Sequence, residues 1–253
     1  QEIFRRYQRT TGNVSRLVRR ADHRRTGGVV RLSKGVVEKV QALGITYVPM
    51  RQADATTFYE KIGQAKQNNS HGAFVTQYDK SDYKNMLPLL GDNGNVGVAV
   101  KQDGDIVSVF KNSNSKAKGA VSSILLTAIE NGGVKLDNFN GSLSRMYGRH
   151  GFIPVSRTAF VDEFAPSDWN YARDGRPDII FWIHNGDSAS EVVNNMGKYP
   201  SESEILKNVP MFDSYDDAAA YRDQILNDLI NTGSNAAGVG RTENSIQNYL
   251  NDS

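Results

Sequence analysis

Residues 106–133 read IVSVFKNSNSKAKGAVSSILLTAIENGG, and this stretch decides the fold. Ile106–Phe110 alternates and is β-branched, as a strand requires. A polar loop follows from Asn112 and ends at Gly119. Val121, Ile124, Leu125, Ala128 and Ile129 then repeat at the i, i+3, i+4 spacing of one helix face. Asn131-Gly132-Gly133 supplies the left-handed stop expected past a helix end. A glycine-bearing loop that feeds a helix N-terminus leaves first-turn amides without acceptors, and the helix dipole adds partial positive charge. With Lys116 and Lys118 beside it, such an end suits a phosphate or pyrophosphate. A plain βα turn carrying two solvated lysines fits this segment equally well.

Further along, residues 140–152 read NGSLSRMYGRHGF. This resembles the signature N-x-x-A-x-x-L-Y-x-x-x-G-F of the GNAT superfamily of N-acetyltransferases. Asn140, Tyr147, Gly151 and Phe152 match it, Met146 replaces Leu, and Leu143 replaces a small residue. Upstream, Lys116 to Val121 is similar to that family's Arg/Gln-x-x-Gly-x-Gly/Ala phosphate loop. Lys116 stands where Arg or Gln is usual, and Val121 stands where Gly or Ala lets the backbone close on a pyrophosphate. One helix and one strand separate the two motifs, as in the family.

The resemblance implies an α/β (α+β) fold with a central mixed, mostly antiparallel sheet flanked by helices, plus helical extensions at both ends. It implies acetyl-coenzyme A, or another acyl-coenzyme A, as the acyl donor and an amine as acceptor. Val109, Lys116, Lys118, Gly119, Ala120, Val121, Ser122 and Asn140 are the positions it points to for holding that donor. Tyr147 is the position it points to for protonating the departing thiolate. A general base is not assigned: Asp105, Asp137 and the carboxylates Asp162, Glu163, Asp168 and Asp174 all stand open. The alternative is a non-catalytic module of the same fold within a larger protein. The mosaic layout also resembles domains of large phage-encoded proteins, which implies a cytoplasmic or virion-associated setting. A first residue of Gln rather than Met suggests a processed or excised piece.

The 253 residues divide by pattern into a basic helical arm (1–44), the acyltransferase-like domain (45–185), an acidic helical extension (186–231) and a flexible tail (232–253). Lys and Arg outnumber acids eleven to three over residues 1–40, whereas acids outnumber bases eleven to four from Gly186 onward. The arm, with Ile3, Phe4, Tyr7, Val14, Leu17 and Val18 as short apolar faces, could meet nucleic acid or an acidic protein partner. With no Cys, disulfides and thiolate chemistry are excluded. The four His residues show no metal spacing. No apolar run reaches the roughly 18 residues of a membrane span.

Within the domain, Ser33 is expected to cap a helix burying Val36, Val37, Val40 and Leu43. Ile45–Arg51 and Ala73–Tyr78 read as strands. Asp54 or Thr56 should cap a helix that buries Phe58, Ile62 and Ala65. Tyr83, Met86 and Leu87 read as a short helix broken by Pro88. Asp103-Gly104 marks a two-residue hairpin. Residues 134–139 read as a buried strand, and 153–161 with 179–183 as a closing hairpin. The long connection between them, 162–177, holds Trp169 and Tyr171 and could shape a pocket.

Overall fold

The computed structural model describes residues 31–198 and 206–236. The arm before residue 31 and the tail after 236 lie outside the described residues. Two four-stranded sheets meet where the mixed sheet was expected to be one. In the first, β1 (Met50–Gln52), β2 (Met86–Gly91), β3 (Val96–Lys101) and β4 (Ile106–Lys111) lie in sequence order and are antiparallel throughout. The second contains β5 (Lys135–Phe139), β6 (Phe152–Thr158), β7 (Ile179–His184) and β8 (Met211–Phe212), in the order β5-β7-β6-β8. Its β6–β8 pair is parallel and the rest antiparallel. One parallel bridge, Asp105 with Lys135, joins β4's approach to the start of β5. After that bridge the two strands belong to different sheets.

Helices cover these sheets. α1 (Lys34–Ala42) is capped by Ser33, and α2 (Ala55–Asn68) by Asp54. α3 (Lys80–Tyr83) is short; α4 (Ala120–Glu130) and α5 (Ser142–Arg149) flank β5 in sequence. α6 (Tyr171–Asp174), α7 (Ala189–Asn195) and α8 (Tyr215–Ala236) follow. α8 continues past Thr232, where the flexible tail was expected to begin. α1 belongs to the core: Val36 and Val40 are buried with Ile124, Leu136, Trp182 and Leu226 in one cluster spanning both sheets. Leu43, expected inward, is 55% exposed.

α4 is the centre of that cluster. Ile124, Leu125, Leu126, Ala128 and Ile129 are fully buried, and so is the side of the helix carrying Ser122, Ser123 and Thr127. Burying each large aliphatic side chain is worth roughly 1.5–3 kcal/mol. The hydroxyls on the polar side are satisfied. Ser123 Oγ accepts from Val48 N (2.9 Å), and Thr127 Oγ1 donates to Ser123 O (2.8 Å). α4 is thus covered all round rather than on one face.

Several local expectations are corrected. Ala73–Tyr78 begins in a 3-10 turn (Gly72–Phe74) and forms no strand. Ile45–Pro49 is not strand, and β1 shortens to three residues. Met86 and Leu87 open β2, which runs through Pro88. Pro88 O accepts from Ala53 N (3.0 Å), so the proline nitrogen also faces the β1 side, and the ladder to β3 loses no donor. The β3–β4 connection uses a single positive φ, at Gly104, rather than two. Lys101 N donates to Asp105 O and Gly104 N to Lys101 O, the pattern of a three-residue loop with its glycine in the left-handed region. β8 had no expectation; two residues, Met211 and Phe212, are too short to show a period.

A smaller cluster on the opposite face of the first sheet joins Phe58, Ile62, Tyr83, Val107 and Phe110. It depends on Gly97. A Cβ there would lie 2.3 Å from Phe110 Cε1 and 2.5 Å from its Cζ. Gly97→Ala should therefore cost about 1–3 kcal/mol in urea unfolding. Adding Phe110→Leu should return part of that loss; equal midpoints for wild type and Gly97→Ala would show that the contact is not tight.

Candidate active site

β4 carries a bulge. Gly97 faces Phe110 and Ala99 faces Val107, so the single residue Val98 meets both Ser108 and Val109. Ser108 adopts φ +55°, an uncommon conformation for a non-glycine residue. Its hydroxyl holds it there, donating to Thr76 O at 2.8 Å and lying 2.9 Å from Tyr83 Oη. The extra residue of such a bulge drops out of ladder pairing. Val109, next to it, is half-buried against the main core.

The chain then enters the loop before α4. Thr46 fixes its exit: Thr46 N donates to Lys118 O (2.8 Å), and Lys118 N donates to Thr46 Oγ1 (3.2 Å). Gly119, at φ +68°, is the N-cap and offers no side chain to the free amides of the first turn. Lys116, Lys118 and Gly119 are exposed. Ala120 is buried, and the half-buried side chain of Val121 packs against the main core. Ser122 is buried and its hydroxyl lies 3.8 Å from Met146 Sδ, which ties the start of α4 to α5. Asn140 secures the start of α5: its Oδ1 accepts from Ser144 Oγ (3.0 Å) and its N donates to Asp178 O.

Tyr147 is buried on α5, its ring edge-on to Phe152 (6.0 Å) and Trp182 (6.2 Å). Burial, then the charge of Asp137, pushes its phenol well above the ordinary range. It stays protonated near neutrality. Asp137 lies on β5 next to the seam between the sheets. Burial, then the neighbouring Asp105, pushes its carboxyl up to about 6, against the pull of Arg222 and a hydrogen bond from Tyr215. Asp105 is also raised, chiefly by burial.

The carboxylates of the long connection behave differently. Arg176 Nε donates to Asp162 (2.8 Å), and Asp174 pairs with Arg173; both acids are held below the usual range by those hydrogen bonds. Trp169 is packed between Phe74, Phe139 and Phe160 rather than lining open space, and its Nε1 donates to Gly175 O. These rings close the end of β5 onto the Gly72–Phe74 turn.

Sequence reasoning missed Arg222, which reaches the seam from α8. Its signal was in the pattern: Ala218, Arg222, Leu226 and Leu229 share the buried stripe of α8, and an arginine on an apolar stripe needs a buried partner. Among the described residues no three His, Asp or Glu side chains are set to hold a metal, and no helix is long and apolar enough to cross a membrane. Comparison with known protein families, with curated proteins and with solved structures finds no match.

Two histidines lie under α5. Burial pushes His150 down to about 4 and His184 to about 3. Both fold neutral and must gain protons in the unfolded chain below about pH 6.5. Their stabilising contribution is complete above that value and is lost as pH falls towards the folded values. Asp137 has the opposite sign, its carboxyl costing stability above pH 6 and less as pH falls; its side chain is 28% exposed, so solvent reduces that share. From pH 7 to 5 the net loss should be on the order of 2 kcal/mol. His184→Gln should flatten this dependence and Asp137→Asn should steepen it, in chemical unfolding at each pH. Parallel curves for all three proteins would refute the assignment.

Proposed function

We propose that this chain is an acyl-coenzyme A-dependent N-acyltransferase of the GNAT type. The observation that carries the reading is the parting of β4 and β5 after one parallel bridge, with a glycine-capped helix N-terminus following β4. Supporting it are the β4 bulge, the insertion of β7 between β5 and β6, and the two motifs already quoted. The chain fits an acyl-coenzyme A. The first-turn amides of α4 and the exposed Lys116 and Lys118 suit its pyrophosphate, and Val121 packs part of its side chain against the core.

Each residue then has a task. Backbone donors that the bulge at Ser108 and Val109 withholds from the ladder stabilise the oxyanion formed when the amine nitrogen attacks the thioester carbon. Asp137 accepts the proton that the amine loses. Tyr147 gives a proton to the sulfur as the carbon–sulfur bond breaks, and is recharged from solvent. The products are an amide and a free thiol. A base near 6 and a phenol that stays protonated are the two states this transfer needs at neutral pH.

Calorimetry with acetyl-coenzyme A tests the reading. Wild type should bind in the micromolar range, and Lys116→Glu/Lys118→Glu should bind at least about tenfold more weakly, since like charge replaces opposite charge. Both lysines are exposed, so the fold should survive, whereas Gly119 substitutions would strain the cap. With an amine panel and a thiol-release assay, Tyr147→Phe should slow turnover about 10²–10⁴-fold at unchanged donor affinity. No binding at millimolar donor would overturn the acyltransfer reading in favour of the non-catalytic one.

A further inference from the structure

At the seam, seven charged side chains converge with three tyrosines around them. Lys101 Nζ donates to Asp105 Oδ2 at 3.2 Å. Lys135 Nζ bridges Asp103 (2.8 Å) and Asp223 (3.0 Å). Arg222 lies over the Phe181 ring, with its Nε donating to Asp223 Oδ1 at 2.9 Å. Its Nη1 stands 3.8 Å from Asp105 Oδ1 and 3.9 Å from Asp137 Oδ1. The other groups facing Asp137 are the Tyr215 hydroxyl, which donates to it, the Lys101 ammonium, which also favours its charged form, and the more distant Tyr147 and Tyr78; Tyr78 in turn faces Lys101.

Two atoms in this set are buried without a hydrogen bond: Arg222 Nη1 and Asp105 Oδ1. Arg222 is 4% exposed overall. A guanidinium removed from water ordinarily spends its donors on close bidentate pairs. Here the fork is anchored at one end, on Asp223, while the other end is held almost equidistant between two carboxylates and touches neither. Full contact with Asp137 would hold that carboxylate firmly ionised and make it a poor base. Complete absence of the cation would leave it protonated, because burial and Asp105 both favour the neutral form. The intermediate spacing is set by Asp223 and by the Phe181 ring, so it is a property of how α8 seats on the second sheet.

We propose that Arg222 is a positioning residue, which holds the Asp137 carboxylate in the geometry and charge state of a proton acceptor for the amine. This inference rests on the acyltransfer reading for its chemistry. It also makes α8 part of the active unit: a helix from the acidic extension brings a guanidinium to 3.9 Å from Asp137.

The test uses the full chain as wild type, Arg222→Lys, Arg222→Gln and Arg222→Met. The Asp137 carboxyl is followed by carbon-detected NMR across pH, and acetyl-coenzyme A affinity by calorimetry. Arg222→Gln and Arg222→Met should raise the Asp137 midpoint by about one pH unit or more, and Arg222→Lys should restore most of it. The acidic limb of the pH–rate profile should move by the same amount, with donor affinity unchanged. Arg222→Met keeps the apolar stripe of α8 filled, so folding failure in Arg222→Gln would not decide the matter. An unmoved Asp137 midpoint, or a moved midpoint with an unmoved rate profile, overturns the proposal. Loss of donor binding in wild type itself would instead overturn the acyltransfer reading, and the NMR midpoint alone would then settle whether Arg222 governs Asp137.

Discussion

One parallel bridge, Asp105 with Lys135, is the constraint on which the rest of this molecule depends. Among the described residues, every strand upstream of it pairs within the first sheet and every strand downstream within the second. Gly104 O takes hydrogen bonds from both Val134 N and Lys135 N, so the β3–β4 turn is stitched to the start of β5. Past that point neither strand can satisfy the other's backbone, and their facing edges are left for something else to use. In a sheet an unpaired edge is normally a liability. Here β4 carries a bulge, and the loop from Asn112 to Gly119 leads on from it to the N-terminus of α4.

Electrostatics hold the same junction together at a cost. Lys135, Arg222, Asp105 and Asp137 are buried or largely so, and ions taken from water are repaid only when well paired. The pairing is incomplete, with two orphaned polar atoms. Replacing the whole set, Arg222 together with its carboxylate partners, by apolar residues of similar volume would close the two sheets as well or better. That a charged solution occurs at the joint between sheets, and not on the surface, is what gives the site its physical interest. Removing one member of such a set costs about 3–5 kcal/mol, so stability and proton chemistry are coupled here.

The parts of the fold legible in the sequence were those fixed locally. Ser33 and Asp54 cap their helices because a short polar side chain one residue before an apolar period satisfies free amides. Phe58, Ile62 and Ala65 are buried as their spacing requires. Where distant chain decided, the reading failed. Pro88 reads as a breaker, yet it sits in β2 because its missing donor would have faced a neighbouring strand already near its end. Ala73–Tyr78 has the apolar residues of a strand but no partner edge; Phe74 is drawn instead into the ring cluster of Phe139 and Trp169. In the site, Gly119, the lysines and Tyr147 were visible as motif positions, whereas Arg222 and Tyr215 act on Asp137 from about eighty residues away and no local pattern could link them.

The placement of Tyr147 and Asp137 bears on how one strand can serve both halves of a proton transfer. Tyr147 shares a core with Leu136 and Trp182, and Asp137 follows Leu136 on β5, so the pleat sends the two groups to opposite faces. A reacting centre lying at the free edge of β5 would have the acid on one side and the base on the other, with the strand keeping them from neutralising each other directly. Their environments are also opposed. Around Tyr147 are aromatic rings, which leave its proton in place; around Asp137 is a field of charges, which leaves its proton near balance. Two titratable groups driven to different protonation states by their surroundings are the arrangement that acid–base chemistry at a fixed pH requires. The seam therefore does more than join two sheets: by parting β4 from β5 it leaves β5 an edge strand, which under the proposed chemistry both groups would flank.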